Sequence, residues 1–199
     1  MNKNLITEED INKLGLRAKK ASYIISTLDT KTKNDILLDA AENILKNKKK
    51  LIDENEKDVQ QNKERLTSST LDRLILDDKR IESMCLGLVE ISKLEDPVGK
   101  IIEEWSRPNG LQIQKVSIPL GVLGVIYESR PNVAADAAGL CLKSGNALIL
   151  RGGSESFLSS SLIVKLINES LTKFKVPEGA LQNIPTKDRS AVGFLLRMS

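Results

Sequence analysis

The stretch Gly121–Gly153, GVLGVIYESRPNVAADAAGLCLKSGNALILRGG, decides the fold. Val122-Leu123-Gly124-Val125-Ile126-Tyr127 is a short apolar run opened by Pro119-Leu120-Gly121. Such a run reads as a buried strand, because a strand covered on both faces loses the alternation of an exposed one. Val133 to Lys143 is rich in alanine and reads as a helix, stopped by Ser144-Gly145-Asn146. Ala147-Leu148-Ile149-Leu150 is a second buried strand. Gly152-Gly153 then turns the chain into a helix from about Glu155 to Lys173. Pro177-Glu178-Gly179 precedes a third short strand, Leu181 to Ile184, and a last helix begins near Asp188. Strand and helix in alternation imply a parallel sheet with right-handed crossovers. Three strands are few for such a sheet, so an incomplete one is expected.

Upstream of this unit the pattern is helical. Thr7 and Asp10 resemble a capping box, and Ile11, Leu14, Ala18, Ala21 and Ile25 follow at helical spacing. Thr32 to Lys49 reads as a second helix, with Ile36, Leu37, Ala40, Ala41, Ile44 and Leu45 on its inner face. A polar helix is expected over Leu51 to Lys63, then a linker at Thr67-Ser68-Ser69-Thr70. Asp77 can cap a further helix with Ile81, Met84, Cys85, Leu88 and Ile91 inward. After Pro97 the text changes. Arg107-Pro108-Asn109-Gly110 is a turn signal, and Leu111 to Val116 alternate as an exposed strand does. The expected organisation is therefore a helical part over 1–104, an arm strand over 105–118 and a sheet unit over 119–199.

Composition excludes several function classes. The 199 residues are 40% hydrophobic, enough for a sizeable core. Thirty basic residues against 27 acidic leave a net charge of +3, too little for the concentrated positive face of a nucleic-acid binder. Lys48, Lys49 and Lys50 are followed at once by Asp53, Glu54 and Glu56, as at a solvated helix end. There is no histidine, hence neither the commonest general base nor the commonest metal ligand, and no metal site is expected. Cys85 and Cys141 lie in apolar helical patterns and read as small core residues in a reducing, cytoplasmic setting. No apolar run approaches the ~20 residues of a membrane span.

Two segments carry a resemblance. Pro119 to Val133, containing Tyr127-Glu128-Ser129-Arg130-Pro131-Asn132, and Leu140 to Gly153 are very similar to the γ-glutamyl phosphate reductase family, a branch of the aldehyde dehydrogenases. Leu71-Asp72-Arg73-Leu74-Ile75-Leu76 and Pro177-Glu178-Gly179-Ala180-Leu181-Gln182 support it. The resemblance implies an α/β, aldehyde-dehydrogenase-like fold: amino-terminal helices, then an incomplete parallel Rossmann-like sheet. It implies reduction of L-glutamyl 5-phosphate by NADPH to the semialdehyde, with phosphate release, in proline biosynthesis. A cysteine thiolate would displace phosphate and the thioester would accept hydride. That cysteine would lie in a catalytic domain beyond Ser199, and the arm would make the complete enzyme a homo-oligomer. Another aldehyde dehydrogenase and a non-catalytic interaction or nucleotide-binding module are the alternatives.

The candidate site residues follow. Asn132 sits where a strand gives way to a helix, at the sheet edge where open α/β folds bind ligands. By position it reads as a helix N-cap; the resemblance makes it the donor to an acyl-transfer oxyanion. Arg130 can hold phosphate or carboxylate through two hydrogen bonds, or simply pair with Glu128. Ser129 is a further candidate for substrate contact. Arg151-Gly152-Gly153-Ser154-Glu155 is either an ordinary turn or a cofactor contact, with a helix N-terminus offering free N–H groups to an anion. In aldehyde dehydrogenases the matching turn carries a basic residue, usually lysine, and an acid that meet the adenosine ribose; by resemblance Arg151 and Glu155 take those places, and an arginine there could also pair with the 2′-phosphate of NADPH. The G-x-G-x-x-G fingerprint is absent, as it is in aldehyde dehydrogenases generally.

Overall fold

A computed structural model describes residues 6–198. Five helices come first: α1 (Glu8–Ile25), α2 (Thr30–Lys46), α3 (Lys48–Asn62), α4 (Ser68–Leu74) and α5 (Asp78–Lys93). Four of them start at a side chain that accepts one of the N–H groups a helix leaves unpaired. Thr7 and Asp10 form the full capping box, Asp29 caps α2, Thr67 caps α4 and Asp77 caps α5.

Three expectations for this region need correction. The supposed linker at 67–70 is the start of α4, because the Thr67 cap and the fully buried Leu74 hold a short helix there. Leu45 is 42% exposed, since the buried stripe of α2 runs through Lys33, Ile36, Leu37, Ala40, Ala41 and Ile44 and leaves Leu45 to one side. The arm begins earlier than 105. Strand β1 (Ile101–Ser106) pairs antiparallel with β2 (Gln112–Val116) across the Arg107–Gly110 turn, so residues 101–104 are strand and not helix. A strand needs its partner, and β2 supplies one.

The sheet follows the expected order. β3 (Val122–Ile126), β4 (Ala147–Arg151) and β5 (Leu181–Asn183) are parallel neighbours in that sequence, joined through α6 (Val133–Lys143) and α7 (Phe157–Lys173), with α8 (Ser190–Leu196) last. β4 is central and buried throughout. β3 is not the fully buried strand its apolar run suggests. It pairs on one side only among the described residues, and Ile126 is 45% exposed. Asn146 fastens the entry to the sheet, its Oδ1 accepting the Gly121 N–H at 2.8 Å. Gly145 stands at φ +74, and a Cβ there would lie 2.8 Å from Pro119, so glycine is required on both counts.

The most informative element is α3. Its buried positions, Leu51, Asn55, Asp58 and Asn62, have amphipathic spacing, yet three of the four are polar. Asp58 is 0% exposed and accepts the N–H groups of Leu158 and Ser159 at 3.2 and 2.8 Å, and the Ser159 hydroxyl at 2.7 Å. It is the cap of α7, whose own Ser156 makes no side-chain cap bond. Asn55 accepts the Leu76 N–H and donates to the Leu74 carbonyl and to Ser159 Oγ. Asn62 donates to the Glu155 carbonyl. A second buried polar group joins α2 to the start of the arm and to α6. Lys33 pairs with Asp96 at 2.9 Å, and Lys143 donates to Asn34 and to the Ser92 carbonyl. No helix among the described residues is long and apolar enough to cross a membrane.

Asp58→Ala should leave the first N–H groups of α7 buried without acceptors. The expected loss is about 2–4 kcal/mol, the sum of a lost cap and a buried unpaired donor. Urea unfolding of the variant checks it. An unchanged midpoint would mean α7 starts without help from α3.

Candidate active-site cleft

The turn from β3 to α6 carries the residues of interest. Ser129 has φ +45, a left-handed conformation costly for a residue with a Cβ. It is held there by Glu155, whose Oε1 accepts the Ser129 N–H at 2.8 Å and its hydroxyl at 2.9 Å. Ser129 is 6% exposed and both its donors are used, so its expected contact with substrate is replaced by a contact that shapes the turn. The next side chain, Arg130, is exposed. Its guanidinium meets no acceptor among the described residues, and the alternative pairing with Glu128 is not formed.

Asn132 does not cap α6. Its backbone is already helical (φ −60°, ψ −27°), its carbonyl accepts from Ala135 and Asp136, and its side chain makes no cap bond. Pro131 explains this: its fixed φ suits the start of a helix, so the first turn closes one residue earlier than the pattern implies. The freed amide donates instead to Asp136 Oδ2 at 3.0 Å. A carboxylate accepts, so the amide nitrogen must face Asp136, and its second N–H remains for another acceptor. Burial pushes the Asp136 carboxyl above its usual range, and the Asn132 amide counteracts it.

Arg130, Asn132 and Asp136 share a cleft of about 380 Å³ with Asp72, Arg73 and Arg80, which come from α4 and α5. The volume lies within the roughly 300–1,000 Å³ of small-molecule sites. Arg80 is committed to Asp72 Oδ1 and to the carbonyls of Asp72 and Ile75. Arg73 meets no acceptor among the described residues. Sequence reasoning missed both Arg73 and Asp136. The signal for Asp136 was present: it is the one acid in α6, set in an apolar run four residues after Asn132.

The β4–α7 turn departs from expectation. Arg151 is 5% exposed and points inward. Its Nη2 donates to the carbonyls of Lys187 and Asp188 at 3.2 Å and its Nη1 to that of Gly152, so it is not presented to an outside phosphate. Burial works against its charge, and Glu155 supports it. The amino end of α7 is no open anion cradle either, since Asp58 occupies its N–H groups. Gly152 lies against Tyr127, where a Cβ would come within 2.8 Å of the hydroxyl, and a Cβ on Gly153 would strike the Glu155 carboxylate. Glu155 remains charged: burial opposes this, but its own backbone N–H, Ser129 and Ser154 outweigh burial. Ser154 is exposed and its hydroxyl donates to Glu155 Oε2 at 3.3 Å, so these two are polar groups the turn offers outward. Cys85 and Cys141 are buried free thiols, each raised to about 11 by burial, and neither lines the cleft. No group of His, Cys, Asp and Glu among the described residues could hold a metal ion.

The aldehyde dehydrogenase family matches residues 2–198. The γ-glutamyl phosphate reductase of Caldanaerobacter subterraneus subsp. tengcongensis is 52% identical over 184 residues, which cover 92% of this chain and 44% of that protein. That of Moorella thermoacetica is 48% identical, covering 94% and 45%. The crystal structure of the Thermotoga maritima γ-glutamyl phosphate reductase superposes with a TM-score of 0.92 at 37% identity, covering 94% of this chain and 46% of the other. That of Saccharomyces cerevisiae gives 0.84 at 35%, covering 93% and 48%. The chain therefore spans somewhat less than half the length of the relatives it matches.

Asn132→Asp tests the contact with Asp136. Two carboxyls at this distance keep a proton between them to higher pH than the unfolded chain does. The folded pair then has a raised pKa, so the penalty is absent where both states are protonated and grows as pH rises above about 4. Relative to the parent, the variant should be nearly as stable at pH 4 and about 1–3 kcal/mol worse by pH 7, read from urea midpoints at both pH values. A deficit independent of pH would separate the two side chains.

Proposed function

The chain belongs to the aldehyde dehydrogenase family, and we propose that it works within a γ-glutamyl phosphate reductase, reducing L-glutamyl 5-phosphate to the semialdehyde with release of phosphate. The observation that carries this reading is Asn132. Its amide is spared from capping, oriented by Asp136 and set in a cleft with arginines. Attack on the acyl phosphate makes a tetrahedral oxyanion, and a preoriented N–H stabilises that charge as it develops. Arg130, two residues earlier on the same turn, has a free guanidinium for the phosphate that leaves. An arginine-lined cleft also favours an anionic acyl phosphate over the neutral aldehydes that other dehydrogenases oxidise. The resemblance assigns the nucleophile to a cysteine thiolate. Cys85 and Cys141, buried and with raised thiols, are unsuited to that role.

A nicotinamide cofactor would supply hydride. Ser154 and Glu155 suit the ribose hydroxyls, as a hydroxyl and a charged carboxylate at the open side of the turn. NADPH remains the proposed cofactor through the resemblance. The inward course of Arg151 gives that residue no part in selecting it, which revises the role expected from sequence. The β1–β2 hairpin supports a homo-oligomer, because Ile101, Ile102, Trp105 and Val116 are all exposed on it and unpaired strand edges invite pairing.

In the full-length reductase, Asn132→Ala should lower kcat by about 100-fold or more, the scale of losing one oxyanion donor, with KM changed far less. Near-normal turnover would remove Asn132 from the chemistry. Separately, Arg151→Met should lower the melting temperature through the lost contacts to residues 187 and 188, while leaving the ratio of NADPH to NADH efficiency within about twofold. A selective loss with NADPH, on the tenfold scale of a charge-assisted contact to the extra phosphate, would restore Arg151 to cofactor recognition.

A further inference from the structure

We infer that Asp72 and Arg73, on α4, read the amino-acid end of the substrate, with Arg73 binding its α-carboxylate. This deepens the proposed function and rests on it. The substrate has two anionic ends, the acyl phosphate and the α-carboxylate, beside an ammonium group. The cleft has two guanidinium groups without an acceptor among the described residues, Arg73 and Arg130. Arg130 is on the turn that carries Asn132, so it serves the reacting carbonyl and its phosphate. Arg73 reaches the cleft from a different element, and the other anionic end falls to it.

The platform for Arg73 is rigid on both sides. Leu74 is fully buried and its carbonyl accepts from Asn55 at 2.9 Å, while the Leu76 N–H donates to the same side chain at 2.7 Å. Arg80 spans the connection, taking the Ile75 carbonyl at 3.0 Å and Asp72 Oδ1 at 2.7 Å. That bond engages one Asp72 oxygen and leaves Oδ2 for the substrate ammonium. An adjacent carboxylate and guanidinium, both lining the cleft, match a zwitterionic head group in a way that neither residue does alone. The backbone of α4 is thus held by buried contacts, and the exposed Arg73 side chain has no internal bond to lose.

The test is steady-state kinetics of the full-length enzyme in the direction of acyl phosphate formation, with inorganic phosphate and NADP. Two aldehydes are compared: L-glutamate 5-semialdehyde, and pentanal, which has the same chain length and no amino-acid head. Arg73→Ala should reduce the preference for the semialdehyde, as the ratio of kcat/KM values, by about tenfold or more, the scale of one lost charge-assisted pair. The KM for inorganic phosphate should stay within about twofold. Arg73→Lys should recover part of the preference, as a charge without the planar fork. Arg130→Ala should do the converse, raising the KM for phosphate. A preference unchanged in Arg73→Ala overturns the inference. So does a phosphate KM that rises in step with the lost preference, because the residue would then act only through its general field. Turnover by the parent with either of these outcomes leaves the proposed function standing. A parent enzyme that does not turn over the semialdehyde at all removes both.

Discussion

A buried carboxylate holds the two halves of this structure together. Asp58 lies in the helical half, yet the N–H groups it accepts belong to α7 of the sheet half. The arrangement has an electrostatic logic: a helix amino end favours negative charge, and a cap from another element satisfies it while joining the elements. The cost is desolvation, which raises the Asp58 carboxyl above its usual range, and Ser159 and Leu158 offset it through their hydrogen bonds. From there the constraint passes along the chain. Asn62, one turn further on α3, donates to the Glu155 carbonyl, and the Glu155 carboxylate fixes Ser129 in its left-handed conformation. Ser129 in turn sets the direction of Arg130 and Asn132. The geometry of the cleft is therefore tied to a helix that contributes no residue to it.

The same economy of polar groups recurs at the other end of α6. Lys143 and Lys33 are nearly fully buried, and each has oxygen partners. Removing a partner from such a group would leave a charge unpaired in the interior, which is why these contacts govern the relative placement of α2, α5 and α6 more firmly than apolar packing alone would. Apolar surfaces slide with small changes in energy; a buried ammonium with two defined acceptors does not. The cleft lies between the first turn of α6 and the α4–α5 connection, so α6 carries the cleft at its start and this second polar group at its end.

The elements themselves were legible from local pattern. The capping box at Thr7 and Asp10, the Asp77 cap, the Gly145 stop and the three strands all appear where the periodicity and turn chemistry indicate, because each depends on neighbours within a few residues. The misses share one cause. The Thr67 stretch reads as a linker because local pattern shows neither the burial of Leu74 nor the Asn55 amide that holds its carbonyl. The expected inner face of α2 includes Leu45 and omits Lys33, because a buried lysine is stable only with Asp96, more than sixty residues away. α3 reads as a polar helix with no evident inner face, and three of its four buried positions prove to be polar.

The site divides along the same line. Sequence alone determined that Arg130 and Asn132 stand at the mouth of a parallel sheet, and that the two cysteines belong to the core, since residue type and element order suffice for both. Only the tertiary structure decided what each side chain does there. Asn132 is a donor held by Asp136 and not a cap, because Pro131 closes the helix one residue early. Arg151 is an internal brace, because carbonyls from 187 and 188 fold back within its reach. Arg73 enters the cleft because α4 packs its Leu74 beneath α3. Each outcome depends on partners distant in the chain, and the free energy of a polar side chain is set by the partner it meets and the water it loses.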